Sequence, residues 1–189
     1  MQLDLSLINV QRWPTVHCSL LRNYVVKGGR IGNLNHGAVM VHFFISFQLH
    51  ELRAKRNGAF NIEYRIIDST KVIKKLHEKA DRVLIDAPCS GLGVLKRNPD
   101  AKWKLQPEFI ENIKKTQAEV LENYSKIVKP GGKLVYATCS ILPSENELQI
   151  KHFLTTDSGK NFTFVKDSKL LAHQSGFDGF YMALLERKL

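Results

Sequence analysis

Residues 82–91 read Arg82-Val83-Leu84-Ile85-Asp86-Ala87-Pro88-Cys89-Ser90-Gly91. A short apolar run passes without a spacer into an acid, a proline and a cysteine, so a strand ends here and delivers its next residues to a loop. The flanking sequence repeats the arrangement. Upstream, Ile62 to Ile67 forms a strand ending in Asp68, and Ser69 or Thr70 caps a helix whose apolar positions are Val72, Ile73, Leu76 and Ala80. Downstream, after a long loop, Pro107 opens a helix with Phe109, Ile110, Ile113, Val120, Leu121, Tyr124 and Ile127 along one face. That helix stops at Lys129-Pro130-Gly131-Gly132, and Lys133 to Thr138 is a strand that presents Cys139 at its carboxyl end. Ser144 and Glu147 have the spacing of a capping box for a helix through Leu154. Phe162 to Val165 and Gly179 to Glu186 are the last strands, an antiparallel pair. Strands alternating with helices indicate βαβ units and a mostly parallel sheet, whose ligands sit beyond the carboxyl ends of the strands. Asp68, Asp86 to Gly91, and Cys139 with Ser140 therefore converge on one edge.

The 189 residues suffice for one domain that buries roughly 70% of its unfolded surface. A composition 43% hydrophobic and 24% charged excludes collagenous, coiled-coil and wholly disordered chains. The net charge of +10 points to a polyanionic partner, either nucleic acid or an anionic membrane surface. The longest apolar run, Ala38 to Leu49, has 12 residues, too few to span a bilayer, and no basic-then-apolar leader opens the chain. A cytoplasmic protein without a membrane partner is expected. Cys18, Cys89 and Cys139 form no CxxC pair, which argues against both a disulfide framework and a zinc site.

A cysteine in such a sheet is ordinarily a small buried hydrophobe. Here the contexts differ from that rule. Cys89 lies between a proline and Ser-Gly, and Cys139 lies between Thr138 and Ser140 just past a strand, where backbone donors lower a thiol pKa. Two unpaired thiols at adjacent strand ends suit covalent chemistry with two separate jobs.

Four blocks carry a resemblance: Asp86-Ala-Pro-Cys89-Ser-Gly91-x-Gly93; Lys96-Arg97-x-Pro99-Asp100-x-Lys102-Trp103; Tyr136-Ala-Thr138-Cys139-Ser140 followed by Glu145-Asn146-Glu147; and Asp178-Gly179-Phe180-Tyr181. In order and spacing they resemble the C-terminal part of the catalytic domain in the RNA (cytosine-5) methyltransferases of the Sun/Fmu (RsmB/Nop) type, over about residues 51–189. The resemblance implies a class I, Rossmann-like α/β fold and methylation of cytosine C5 in rRNA or tRNA with S-adenosylmethionine. It implies that Cys139 attacks C6 of the base and that Cys89 helps release the product. Asp86 would lie at the cytosine and the cofactor, and Asp68 would hold the adenine end of the cofactor. No metal is implied. Lys96, Arg97 and Lys102, beside such a site, are candidates for phosphate contacts, although an ordinary solvated loop would look the same. Trp103 reads as a packing anchor, Lys71, Lys74 and Lys75 as a solvated helix face, Glu145 and Glu147 as first-turn acids, and Asp178 as a turn residue.

Residues 1–50 depart from the family pattern. They carry only five charges, and no acid occurs between Asp4 and Glu51, so the glycine-rich turn and the ribose-binding acid expected upstream are missing. Lys27-Gly28-Gly29-Arg30 is a faint glycine turn, and Gly29-Arg30-Ile31-Gly32 also fits the GxxG of a KH module, too short a match to carry weight. From Glu51 to Asn57 a basic helix end leads to Gly58 as its cap. The expectation is a disrupted reading frame over 1–50, a domain lacking its first two strands, and no separate RNA-recognition domain. The alternative function is an inactive RNA-binding fragment of such an enzyme. A DNA cytosine methyltransferase is disfavoured because the Thr-Cys-Ser block would have no role there.

Overall fold

Seven segments rich in apolar and β-branched residues extend into strands and pair side by side. The computed structural model describes residues 23–28, 38–42, 56, 62–67 and 70–189. The strands are β1 (Asn23–Gly28), β2 (Ala38–His42), β3 (Ile62–Ile67), β4 (Ala80–Asp86), β5 (Val128–Thr138), β6 (Phe162–Leu170) and β7 (Phe180–Arg187). They form one sheet in the order β3-β1-β2-β4-β5-β7-β6. The helices are α1 (Thr70–Leu76), α2 (Ala101–Lys104), α3 (Pro107–Tyr124), α4 (Glu147–Phe153) and α5 (Ala172–Ser175).

β4 lies between β2 and β5, parallel to both, and β7 is antiparallel to β5 and β6. β1 is antiparallel to β2 and to β3. Five strands thus run in one direction, with β1 and β7 opposed; the α/β sheet is mixed, parallel where β4 meets β2 and β5 and antiparallel at its other pairings. The expected two-strand deficit takes a particular form. The two positions between β3 and β4 are filled, but by an antiparallel pair, residues 23–28 and 38–42, and not by two parallel strands.

Alternation of side chains along β4, β5 and β7 turns Val83, Ile85, Leu134, Tyr136, Tyr181, Ala183 and Leu185 onto one face. There they join Ile73 and Leu76 of α1, Val120, Leu121 and Tyr124 of α3, and Ile150 and Phe153 of α4 in a single buried cluster. The rings of Phe153 and Phe162 add a tilted pair with centroids 5.6 Å apart. Against this core three sequence boundaries move. Ala80 begins β4 instead of continuing α1, and Ile127 sits in a 3₁₀ turn after α3. Lys129-Pro130-Gly131-Gly132 does not end at the strand but lies within it. Between Ala80 and Arg82 the register with β5 jumps from Val128 to Lys133, so these residues bulge out, with Gly131 at φ 72°.

The capping box does not form. Asn146, not Ser144, stands at the N-cap of α4, and its side chain turns away from the helix. The readings of Cys18, Gly29 to Gly32, Gly58, Asp68 and Ser69 fall outside the described residues; within 51–57 only Arg56 is described, and it is helical and exposed. Among the described residues no helix is long and apolar enough to cross a membrane.

Glu122 of α3 anchors the turn after α4. Burial opposes its charge, but the hydroxyls of Ser158 and Thr156 donate to its carboxylate and Lys126 lies 3.4 Å away, so its pKa falls below the ordinary 4.5. A depressed carboxylate stabilises the fold above its unfolded pKa, and this contribution disappears as pH falls through the folded value. Glu122→Gln is expected to cost a few tenths of a kcal/mol at pH 7, given the solvent around the group, and nothing near pH 3, as urea titrations at the two pH values will measure.

Candidate active site

The chain leaves β4 at Asp86, and its next residues are pinned to the end of β5. The Ala87 amide donates to the Ala137 carbonyl at 2.9 Å, and the Gly93 amide to the Cys139 carbonyl at 2.9 Å. The Gly93 carbonyl in turn accepts the Gly179 amide at 2.7 Å, which ties the segment leading into β7 to the same point. Gly91 completes the turn at φ 71°. These clips carry Cys89 and Cys139 to an Sγ–Sγ separation of 3.1 Å. Cys89 is 6% exposed, while Cys139 is half-buried and the more open of the two.

A polar network lies behind the sulfurs. Glu145, fully buried, accepts the Ser90 amide (2.8 Å) and Gln117 Nε2 (3.0 Å) on Oε2, and the Ser140 hydroxyl (2.7 Å) on Oε1. Its carbonyl accepts the Tyr136 hydroxyl at 2.9 Å. Gln117 also donates to the Pro88 carbonyl at 2.8 Å. Thr138 donates to Asn146 Oδ1 at 2.5 Å, and Asn146 Nδ2 donates to the Ser140 carbonyl at 2.9 Å. Both cysteine loops are thereby held from α3 and from the turn before α4.

The network differentiates the thiols. The hydrogen bond with Cys139 and then burial push the Cys89 thiol well above its ordinary value, and the charges of Cys139 and Glu145 add to this against a weaker pull from the Gly91 amide. Cys89 therefore holds its proton more tightly than an ordinary thiol, in a contact where either sulfur can donate. Burial likewise raises the Tyr136 phenol, with help from Cys89, Glu145 and Tyr181, so it stays a neutral donor.

The candidate residues Cys89, Cys139 and Asp86 share one sheet edge; Asp86 lies half-buried between His42 of β2 and Ala137 of β5. Lys96, Arg97 and Lys102 are exposed on the segment that follows Gly93. Arg97 forms an ion pair with Asp178, so Asp178 does more than start a turn. Trp103 is not a packing anchor: it is 77% exposed, with Lys102 Nζ 4.8 Å above its ring. Glu145 is not a first-turn dipole acid, since its carboxylate is buried. Gln117 and Glu145 were missed as site residues. Gln117 was detectable as the one polar side chain between Ile113 and Leu121 on the apolar face of α3.

The α/β sheet, with Asp86 and two cysteines beyond the carboxyl ends of β4 and β5, is that of a class I methyltransferase fold. The family model described as 16S rRNA methyltransferase RsmB/F matches residues 48–186, and the chain belongs to this family. Ribosomal RNA small subunit methyltransferase B of Pasteurella multocida is 43% identical over 126 residues, which cover 61% of this chain and 28% of that protein. Its counterpart in Vibrio cholerae is 41% identical over 115 residues, 59% of this chain and 26% of that protein. The structure of NSun6 from Pyrococcus horikoshii with SFG superposes with a TM-score of 0.62 at 26% identity, covering 72% of this chain and 37% of the other. The chain thus spans little more than a quarter of the curated relatives it matches.

The methyl donor of this family is S-adenosylmethionine, and the described residues fit only part of it. Asp86 stands at the expected strand end. The position beside it is taken by β2, which ends in His42, and the sequence has no acid between Asp4 and Glu51. Among the described residues the thiol pair and Asp86 stand at this edge, and Asp68, the acid expected toward the adenine, lies outside them. Among the described residues no cluster of three or more His, Cys, Asp or Glu side chains could hold a metal ion.

Proposed function

We propose that this chain carries the base-reacting half of an enzyme that methylates cytosine C5 in ribosomal RNA, with S-adenosylmethionine as donor. The observation that carries the reading is the pair of sulfurs 3.1 Å apart, backed by a buried network, at the edge where the sheet binds ligands. Cytosine C5 is a poor nucleophile. Addition of the Cys139 sulfur to C6 breaks the C5–C6 double bond and moves its electron pair toward C5, where a methyl group can be accepted. A base then takes the C5 proton, the C5–H pair re-forms the C5–C6 double bond, and the C6–sulfur bond breaks with its pair leaving on Cys139. Asp86 holds the exocyclic amine or ring nitrogen as charge develops. Cys89, a protonated thiol in contact with Cys139, assists departure of the sulfur. The cofactor supplies the electrophilic methyl group when bound, with Asp86 and Asp68 as the residues toward it. The cytosine must leave any stack to reach Cys139, which suits a single-stranded or locally opened RNA.

Lys96, Arg97 and Lys102 contact phosphate in this reading, and Trp103 offers an exposed ring to a flanking base. Trp103→Ala is expected to weaken binding of a single-stranded RNA by about tenfold, the scale of one lost stacking contact, without changing its salt dependence. Fluorescence anisotropy at several salt concentrations measures both.

The test of the activity is transfer of labelled methyl groups to small-subunit ribosomal RNA, with 5-methylcytosine identified by mass spectrometry. RNA binding without methyl transfer or cofactor affinity would establish the second reading, an inactive RNA-binding fragment, which the missing ribose acid favours. The cytoplasm is the site of action in this reading. Residues 1–50 are read as an atypical segment from a disrupted reading frame and 51–189 as the C-terminal part of a methyltransferase catalytic domain; the family match from residue 48 and the low charge of 1–50 support this. Peptides from residues 1–50 together with an intact single-frame transcript would overturn it.

A further inference from the structure

Glu145 does not touch either sulfur, yet it holds the residue next to each. Ser90 follows Cys89 and gives its amide to Oε2; Ser140 follows Cys139 and gives its hydroxyl to Oε1. The two hydroxyls lie 3.2 Å apart and the two sulfurs 3.1 Å apart, so the carboxylate closes a ladder whose outer rung is the thiol pair. Gln117 from α3 and Tyr136 from β5 fix Glu145 in turn. Burying a carboxylate is costly, and neutral groups could tie two loops at less expense. Its charge therefore calls for a purpose beyond cross-linking.

We propose that Glu145 is a positioning residue for the thiol pair: through Ser90 and Ser140 it sets the distance between the sulfurs and biases the proton between them toward Cys89. Cys139 is then left as the attacking sulfur. The titratable groups that face Cys89 are Cys139 after β5, Glu145 before α4 and Tyr136 within β5, with Asp86 three residues before it on β4. Tyr136 is held neutral by burial, which leaves Glu145, whose two carboxyl oxygens accept three hydrogen bonds, as the acidic group on the inner side of the pair. The consequence for cytosine attack rests on the function proposed above; the asymmetry of the sulfurs does not.

The full chain is alkylated with iodoacetamide between pH 6 and 10, and the labelling of Cys89 and Cys139 is followed separately by peptide mass spectrometry. Cys139 is expected to react at least tenfold faster at pH 7. In Glu145→Gln the Cys89 profile should move to lower pH and the Cys139-to-Cys89 rate ratio should fall at least threefold. Ser140→Ala keeps the charge but removes one rung; it should lower the ratio without moving the Cys89 profile, and it carries the test if Glu145→Gln does not fold. An unchanged ratio in the folded variants overturns the proposal. So does an equal gain of both sulfurs at every pH in Glu145→Gln, which would mean simple loosening. Trapping on 5-fluorocytosine RNA separates the two levels: no adduct with the unsubstituted chain counts against the proposed function alone, while the labelling pattern still decides the role of Glu145.

Discussion

Cys139→Ala should lose covalent trapping on RNA containing 5-fluorocytosine by about three orders of magnitude, the scale on which removal of a nucleophile acts, while Cys89→Ala should still form the adduct. The asymmetry follows from placement. Cys139 is the more open sulfur, it continues directly from β5, and its carbonyl is fixed by the Gly93 amide at 2.9 Å. Cys89 is more deeply buried, and its proton is held by the hydrogen bond to Cys139 and by burial. A deeply buried, protonated thiol is a poor attacking group but a suitable proton donor for the departing sulfur. Denaturing gels of the trapped complex decide the matter. Adduct retained by Cys139→Ala and lost by Cys89→Ala would reassign the nucleophile.

Gly93→Ala should be the most damaging methyl group that can be added near the site. A Cβ there would stand 2.1 Å from the Gly179 carbonyl oxygen and 2.7 Å from that of Cys139, and both are backbone atoms that cannot rotate aside. The segments after β4 and before β7 and the end of β5 would have to separate, breaking the bonds that Gly93 makes to Cys139 and Gly179. A loss of roughly 3 kcal/mol or more is expected from such overpacking. Gly176→Ala is the control: φ is +73° but nothing lies within 4 Å, so only the backbone conformation resists, at about 1 kcal/mol. Urea unfolding of the two variants compares them. Equal costs would contradict the close three-way approach of residues 93, 139 and 179.

The C-terminal strands and their connecting helices were legible because each signal is local. Arg82 to Ile85 and Lys133 to Thr138 are short apolar runs between turn residues, and α3 has a long helical period after a proline. The thiol edge followed from the order of those elements, without knowledge of any contact. Glu145 was not legible as a buried residue because its partners Ser90 and Gln117 lie 55 and 28 positions away, and a glutamate near a helix start is usually explained by the helix dipole. Trp103 was misread for the opposite reason: an aromatic among charged residues suggests an anchor, but α2 is a single turn that leaves the ring outside. Pro130-Gly131-Gly132 signals a turn in any local reading, and only pairing with β4 turns it into a bulge. β1 and β2 were illegible because neither alternates clearly, and their pairing depends on each other and on neighbours far along the chain.

The reversed placement of β1 and β2 also bears on how the molecule holds together as it opens. Among the described residues, β3 joins the sheet only through β1, and β1 and β3 reach the rest of the sheet only through β2. A crossover sheet would distribute such dependence over intervening helices; a hairpin concentrates it in one five-residue ladder. β1, β2 and β3 therefore form a unit that can detach together, with β4 to β7 and their helices as the other cooperative block. The seam runs along β4, beside Asp86, so local unfolding there would strip one wall from the reaction edge while leaving the two sulfurs in register.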